Sequence, residues 1–232
     1  MNKPANERIW EIDVLRGLAL LLMIVYHLCY DLSVFFHMPI NYQTGVFSVL
    51  GKTAAMSFIL VAGISTSFSR HNFKRGLKLI AWGMVIFTVM YVTVPGANII
   101  FGILHFLGVC LVLYPVYKNI QPLFLFFAGA LIWLGGQYTY LVSTDTNWLA
   151  PLGFHASTFS SVDYFPLFPW LGLFLWGAAI GKLIYPQSKS LFNSSGWLLL
   201  RPVEILGSHT LAIYLLHQPI IMGVLYLITH FI

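Results

Sequence analysis

The sequence predicts an all-α, polytopic membrane helical bundle of about seven transmembrane helices, eight if residues 190–200 also dip into the bilayer, with a cytoplasmic N-terminus. Three observations predict it. Hydrophobic residues make up 59% of the 232 positions and charged residues only 8%, where soluble domains carry about 25% charge. Mean hydropathy is +0.82. The few bases gather in short stretches between long apolar runs, as they do in membrane proteins. Seven acids and twelve bases cannot keep a surface of this size in water.

A bilayer core about 30 Å thick is crossed by about 20 apolar residues in a helix. Runs of that kind cover 14–36, 53–69, 77–95, 101–117, 121–141, 166–185 and 203–231. The first resembles a signal peptide in length, but Glu7, Glu11 and Asp13 spoil the basic leader and no A-x-A site follows, so it is expected to stay as the first helix. With the N-terminus inside, Lys3, Arg8, Arg16, Arg70, Lys74, Arg75, Lys78, Lys118, Lys182, Lys189 and Arg201 fall on the cytoplasmic side and only Lys52 on the other. That asymmetry is the positive-inside pattern of a plasma (inner) membrane protein, and seven helices put the C-terminus outside. The longest outer loop, 142–165, has Asp145 and Asp163 but no base. Its Trp148, Pro151, His155 and Tyr164 suggest an ordered loop capping the bundle.

No repeat or linker interrupts the chain, so it reads as a single domain over 1–232. Glycines at 63, 83, 102, 108, 129, 172, 177 and 181 let helices approach closely, and the G-x-x-x-G of Gly177 and Gly181 is expected to pack within the chain. The net charge of +5 reports orientation and no nucleic-acid partner. Cys29 and Cys110 both lie in apolar runs and read as packing thiols. There is no Walker or G-x-G-x-x-G pattern and no metal-spaced ligand set on one helix.

Ionisable groups inside apolar spans are the informative ones, because each is costly at membrane depth. The first helix holds Asp13, Arg16, His27, Asp31 and His37. His27 lies eleven residues past Arg16, about 16 Å along a helix, near mid-membrane. Asp31 is four residues on and shares its face, where a carboxylate can fix an imidazole tautomer. Asp13 and Arg16, three apart, can pair. His105 opens the fourth helix, and His209 and His217 share a face of the last one, with Glu204 near its inner end and Pro219 two residues past His217. For each histidine, a hydrogen bond to a neighbouring helix is the structural alternative to a functional role. Arg70, His71, Lys74, Arg75 and Lys78 form a basic stripe. It suits contact with anionic lipid headgroups or with the phosphates of a nucleotide-bearing cofactor.

The run Arg8-Ile-Trp-Glu-Ile-Asp-Val-Leu-Arg-Gly-Leu-Ala-Leu-Leu-Leu-Met-Ile-Val-Tyr-His resembles the start of the catalytic domain of the heparan-alpha-glucosaminide N-acetyltransferase family, bacterial branch, within the wider membrane acyltransferase class. Phe101-Gly-Ile-Leu-His105, the Phe-Pro-Trp-Leu-Gly run from Phe168 to Gly172 and the Tyr-Leu-Leu-His-Gln-Pro ending at Pro219 are further matches. The resemblance implies transfer of an acetyl group from cytoplasmic acetyl-CoA to a glycan-type acceptor, a sugar amine or hydroxyl, across the bilayer, and a homodimer would fit the family. The lysosomal enzyme has asparagine at the position of His27 and a histidine implicated in catalysis near the lumenal end of that helix, which His37 matches with a one-residue offset. In the wider class a histidine at the position of His27 is the catalytic one. Two candidates follow from the resemblance.

Acyl transfer needs a base or nucleophile and donors for the oxyanion. On this reading His27 is the base, oriented by Asp31, and His105 or His217 adds a second polar contact. Arg16 with Arg70, Lys74 and Arg75 holds the CoA phosphates at the inner mouth, and Trp148, His155 and Asp163 shape the outer vestibule. The reading from another class is a proton-coupled small-molecule transporter with a His/Asp relay, although no inverted repeat is visible.

Overall fold

The structure is a computed structural model that describes residues 8–94, 96, 98–192 and 198–231. Lys3, Glu7 and the middle of the 190–200 segment lie outside the described residues. Nine α-helices appear among the described residues: α1 Trp10–Val34, α2 Gly45–Ser65, α3 Asn72–Thr93, α4 Ile103–Val112, α5 Tyr114–Tyr117, α6 Pro122–Gly136, α7 Leu167–Ile184, α8 Arg201–Ser208 and α9 Thr210–Phe231. Short 3₁₀ turns at Gln137–Leu141, Ala150–Leu152 and Leu198–Leu200 complete the order. The only β pairing among the described residues is two isolated bridges.

Among the described residues six helices are long and apolar enough to cross a bilayer, namely α1, α2, α3, α6 with its 3₁₀ extension to Leu141, α7, and α9 to His230. Many of their large apolar side chains face outward: Val89, Val92, Leu131, Leu134 and Ile220 are all exposed. Such a surface is stable only against lipid or other helices.

Two expected spans fold differently. The fourth, 101–117, becomes the ten-residue α4 and the four-residue α5. Pro115 in the first turn of α5 has no N–H to continue the ladder from α4. The last, 203–231, becomes α8 and α9, broken at His209 (φ −111°, ψ 24°). At that break the Ser208 hydroxyl donates to the Ile205 carbonyl at 2.8 Å and lies 2.8 Å from His209 Nδ1. His209 therefore sits exposed at the junction and does not share the α9 face with His217.

The chain divides into two compact units, one running up to Val61 and resuming at Lys189, the other Ala62–Ser188. In the first, α1 packs along α8 and α9. Glu11 and Asp13 occupy the first turn of α1, where a negative charge complements the positive end of the helix dipole. Glu11 accepts from the Ser190 hydroxyl at 2.7 Å and the Leu191 N–H at 2.8 Å. Asp13 holds Arg16 at 2.7 Å and Arg8 at 3.4 Å, so the predicted Asp13–Arg16 pair forms. The α1–α8 crossing is a glycine contact. A Cβ on Gly17 would meet the Val203 carbonyl, and one on Gly207 would meet the Asp13 carbonyl. The D-x-x-R-G stretch thus builds both an ion-paired helix start and a close helix crossing. Further along, Leu20, Met23 and Ala54 form a buried cluster with Ile213 and Tyr214 against it.

In the second unit α3 packs on α4 and α6 on α7. Small residues again set the spacing: a Cβ on Gly76 would stand 2.6 Å from the Gly108 oxygen, and one on Gly129 2.8 Å from the Gly172 oxygen. Gly181 of the G-x-x-x-G packs within the chain, 2.5 Å from the Ile64 oxygen by the same measure. Phe106 and Phe174, both fully buried, meet edge to face at 6.4 Å. Lys182 Nζ donates to the carbonyls of Tyr117, Lys118 and Ile120 at 3.2, 2.8 and 2.6 Å, closing the α5 turn. Both cysteines are free and buried.

Overpacking a tight helix contact costs about 1–3 kcal/mol. Gly207→Val should therefore lower the thermal midpoint of the detergent-solubilised protein, whereas Gly223→Ala, with open space around it, should not.

Candidate functional site

In α1 and α9 the costly groups meet. His27 of α1 faces His217 of α9 edge to face, with ring centroids 4.9 Å apart. One turn further along α1, Asp31 is fully buried, and its Oδ1 accepts from Gln218 Nε2 at 2.6 Å. His217 is 9% exposed. Its Nδ1 lies 2.6 Å from the Tyr214 carbonyl, and a carbonyl only accepts, so Nδ1 carries the proton. Asp31 Oδ2, His217 Nε2 and Gln218 Oε1 are buried with no hydrogen-bond partner among the described residues.

This corrects one expectation. His27 and Asp31 do share a helix face, but the carboxylate is taken by Gln218 and does not orient His27. The i, i+4 spacing places two side chains on one face, but the donor that reaches the carboxylate is an amide on another helix, at 2.6 Å. Gln218 was visible in the sequence only as the residue before Pro219. Its signal was a second polar side chain beside a histidine inside an apolar helix, where every such group needs a partner.

His105 lies in the other unit. It is 7% exposed, stacked on Phe101 at 6.0 Å, and its ring covers Gly83 of α3, whose Cβ would stand 2.9 Å from the imidazole. Its Nδ1 has no partner among the described residues. His37 is exposed beyond the end of α1 with φ at +54°. Arg16 is committed to Asp13. Arg70, Lys74 and Arg75 stand exposed around the start of α3, and Asn72 anchors that turn, donating to the Thr66 and Ser69 carbonyls at 2.9 and 3.2 Å. No cluster of three or more His, Cys, Asp or Glu side chains fit to hold a metal occurs among the described residues.

The 142–165 loop is ordered. Tyr164 pairs with Phe101 and His155 with Ser143, His155 stacks on Phe159 at 4.6 Å, and Tyr164 donates to the Ala150 carbonyl at 2.7 Å. Trp148 is 88% exposed. Asp163 Oδ2 accepts the Ile103 N–H at 3.1 Å, which caps the start of the helix carrying His105. The carboxylate lies where a Cβ on Gly102 would be, so only glycine fits there.

Burial pushes the Asp163 carboxyl up to about 6, partly offset by the Ile103 N–H. A folded-state value above the usual 3.8 means that the fold binds a proton the unfolded chain releases between those values, so this group's contribution to stability falls as pH rises through that window. Asp163→Asn keeps an acceptor for Ile103 and should flatten the slope of thermal midpoint against pH between about 4 and 6; an unchanged slope would show that the carboxyl titrates normally.

Compared with known proteins, residues 8–219 match the family described as heparan-alpha-glucosaminide N-acetyltransferase, catalytic. No curated protein and no solved structure matches the chain.

Proposed function

Because the chain belongs to the family of heparan-alpha-glucosaminide N-acetyltransferase catalytic domains, a multi-pass membrane acetyltransferase family, we propose that it moves an acetyl group from cytoplasmic acetyl-CoA to a sugar amine or hydroxyl on the other side of an inner (plasma) membrane. The observation that carries this reading is the meeting of His27, Asp31, His217 and Gln218 between two apolar helices, all within the matched residues. Groups so costly at membrane depth are kept for chemistry or transport, and an imidazole is the usual proton acceptor in acyl transfer.

The chemistry asks three things of the chain. A proton must leave the acceptor as it attacks, and the two imidazoles are placed to receive it. The thioester oxygen needs hydrogen-bond donors. The CoA phosphates need cations, and the exposed Arg70, Lys74 and Arg75 offer guanidinium and ammonium groups suited to them. Arg16 is held by Asp13 and serves the phosphates less directly. The placement of bases in the sequence supports a cytoplasmic N-terminus, which would put the α3 stripe on the donor side.

Inside-out vesicles given radiolabelled acetyl-CoA should label an enclosed amino sugar. Proton-gradient-driven solute uptake with no response to acetyl-CoA would instead establish a transporter. Charge reversal at Lys74 and Arg75 should weaken acetyl-CoA binding in calorimetry by at least about tenfold, since even one hydrogen bond to a charged group contributes roughly 1.5–3 kcal/mol. Unchanged affinity would leave the stripe to lipid headgroups.

A further inference from the structure

We propose that His217, through Nε2, is the catalytic base of this chain, and that the Asp31–Gln218 pair is a positioning unit that turns its free acceptors toward the incoming group. The proposal rests on the acetyl-transfer reading above and assigns a role that the family match does not.

It follows from hydrogen-bond directions. His217 Nδ1 must donate to the Tyr214 carbonyl, so in the neutral ring Nε2 holds a lone pair. The amide of Gln218 turns its NH₂ to the Asp31 carboxylate, which fixes Oε1 as the end left over. The carboxylate spends Oδ1 on that bond and keeps Oδ2. The three buried atoms without a partner among the described residues in this cluster are therefore all acceptors. A buried polar group ordinarily finds its partner within the fold, and a set of one sign calls for a molecule that brings donors. An amine or hydroxyl does so, whereas a thioester carbonyl, itself an acceptor, does not. This end of the cluster consequently suits the acceptor substrate and not the acetyl donor.

His27 is not equivalent. No hydrogen bond among the described residues fixes its tautomer, while that of His217 is set before substrate arrives. Preset geometry is what a base needs.

The step balances as follows. The acceptor's nitrogen or oxygen attacks the thioester carbonyl carbon, forming the new C–N or C–O bond, and its proton passes to His217 Nε2. The C–S bond breaks, and the CoA thiolate leaves and regains that proton from the imidazolium. Nδ1–H stays on the Tyr214 carbonyl throughout.

The test uses the full chain in liposomes, radiolabelled acetyl-CoA outside and glucosamine enclosed. Wild type that transfers nothing sinks the acetyl-transfer reading itself. Given transfer by wild type, His217→Gln should lose at least about 100-fold in kcat with KM for acetyl-CoA little changed. Gln218→Leu should raise KM for glucosamine more than it lowers kcat, and Gln218→Asn should restore part of the loss. Retention of kcat by a folded His217→Gln protein, with a 100-fold loss in His27→Gln, would overturn the assignment. Should His217→Gln fail to fold, diethyl pyrocarbonate on wild type decides: glucosamine should protect His217 from carbethoxylation, and protection of His27 alone would count against it.

Discussion

Hydrocarbon supplies no hydrogen bonds, and most of this molecule follows from that. Every charge or amide within a span must be answered by another side chain or backbone group. Asp31 is the clearest instance. A fully buried carboxylate in an apolar helix forces a donor onto whichever helix lies beside it, and Gln218, 187 positions later, is that donor. This bond ties α1 to α9 and brings His217 against His27. The meeting of these polar side chains is a consequence of satisfying one costly group.

Glycine governs the rest of the packing. Between apolar helices in lipid, close approach and dispersion contacts replace the hydrophobic drive of water. The α1–α8, α3–α4 and α6–α7 contacts each run over glycines that leave no room for a Cβ. One of them, Gly83, gives its space to an imidazole. The His105 ring occupies what would be a side-chain position on α3, so a buried polar group is held by shape before any partner is considered. At the same, N-terminal end of α4 the Asp163 carboxylate fills the gap at Gly102 in the same way and satisfies a helix N–H.

The apolar runs were legible because length and composition mark them. The D-x-x-R-G stretch announced an ion pair at the start of α1, and the family resemblance carried the same stretch. Less legible were the breaks. A proline at 115 and a Gly-Ser-His turn at 207–209 look mild inside long apolar runs, yet each ends a helix once its neighbours are fixed. In the sequence Asp163 reads as an acid of the outer loop shaping a vestibule, and its capping role is hidden because the backbone N–H it accepts lies sixty positions earlier.

The sequence by itself determined that this chain is a helical membrane protein of the acetyltransferase family, and it marked His27, Asp31, His105 and His217 as the costly groups. Both follow from terms local to the chain: side-chain transfer energies, run length and short motifs. Only the tertiary structure decided which of those groups touch. Helical periodicity fixes the face a side chain occupies but not the helix that comes to lie across from it, and hydrogen-bond direction exists only between partners already in place.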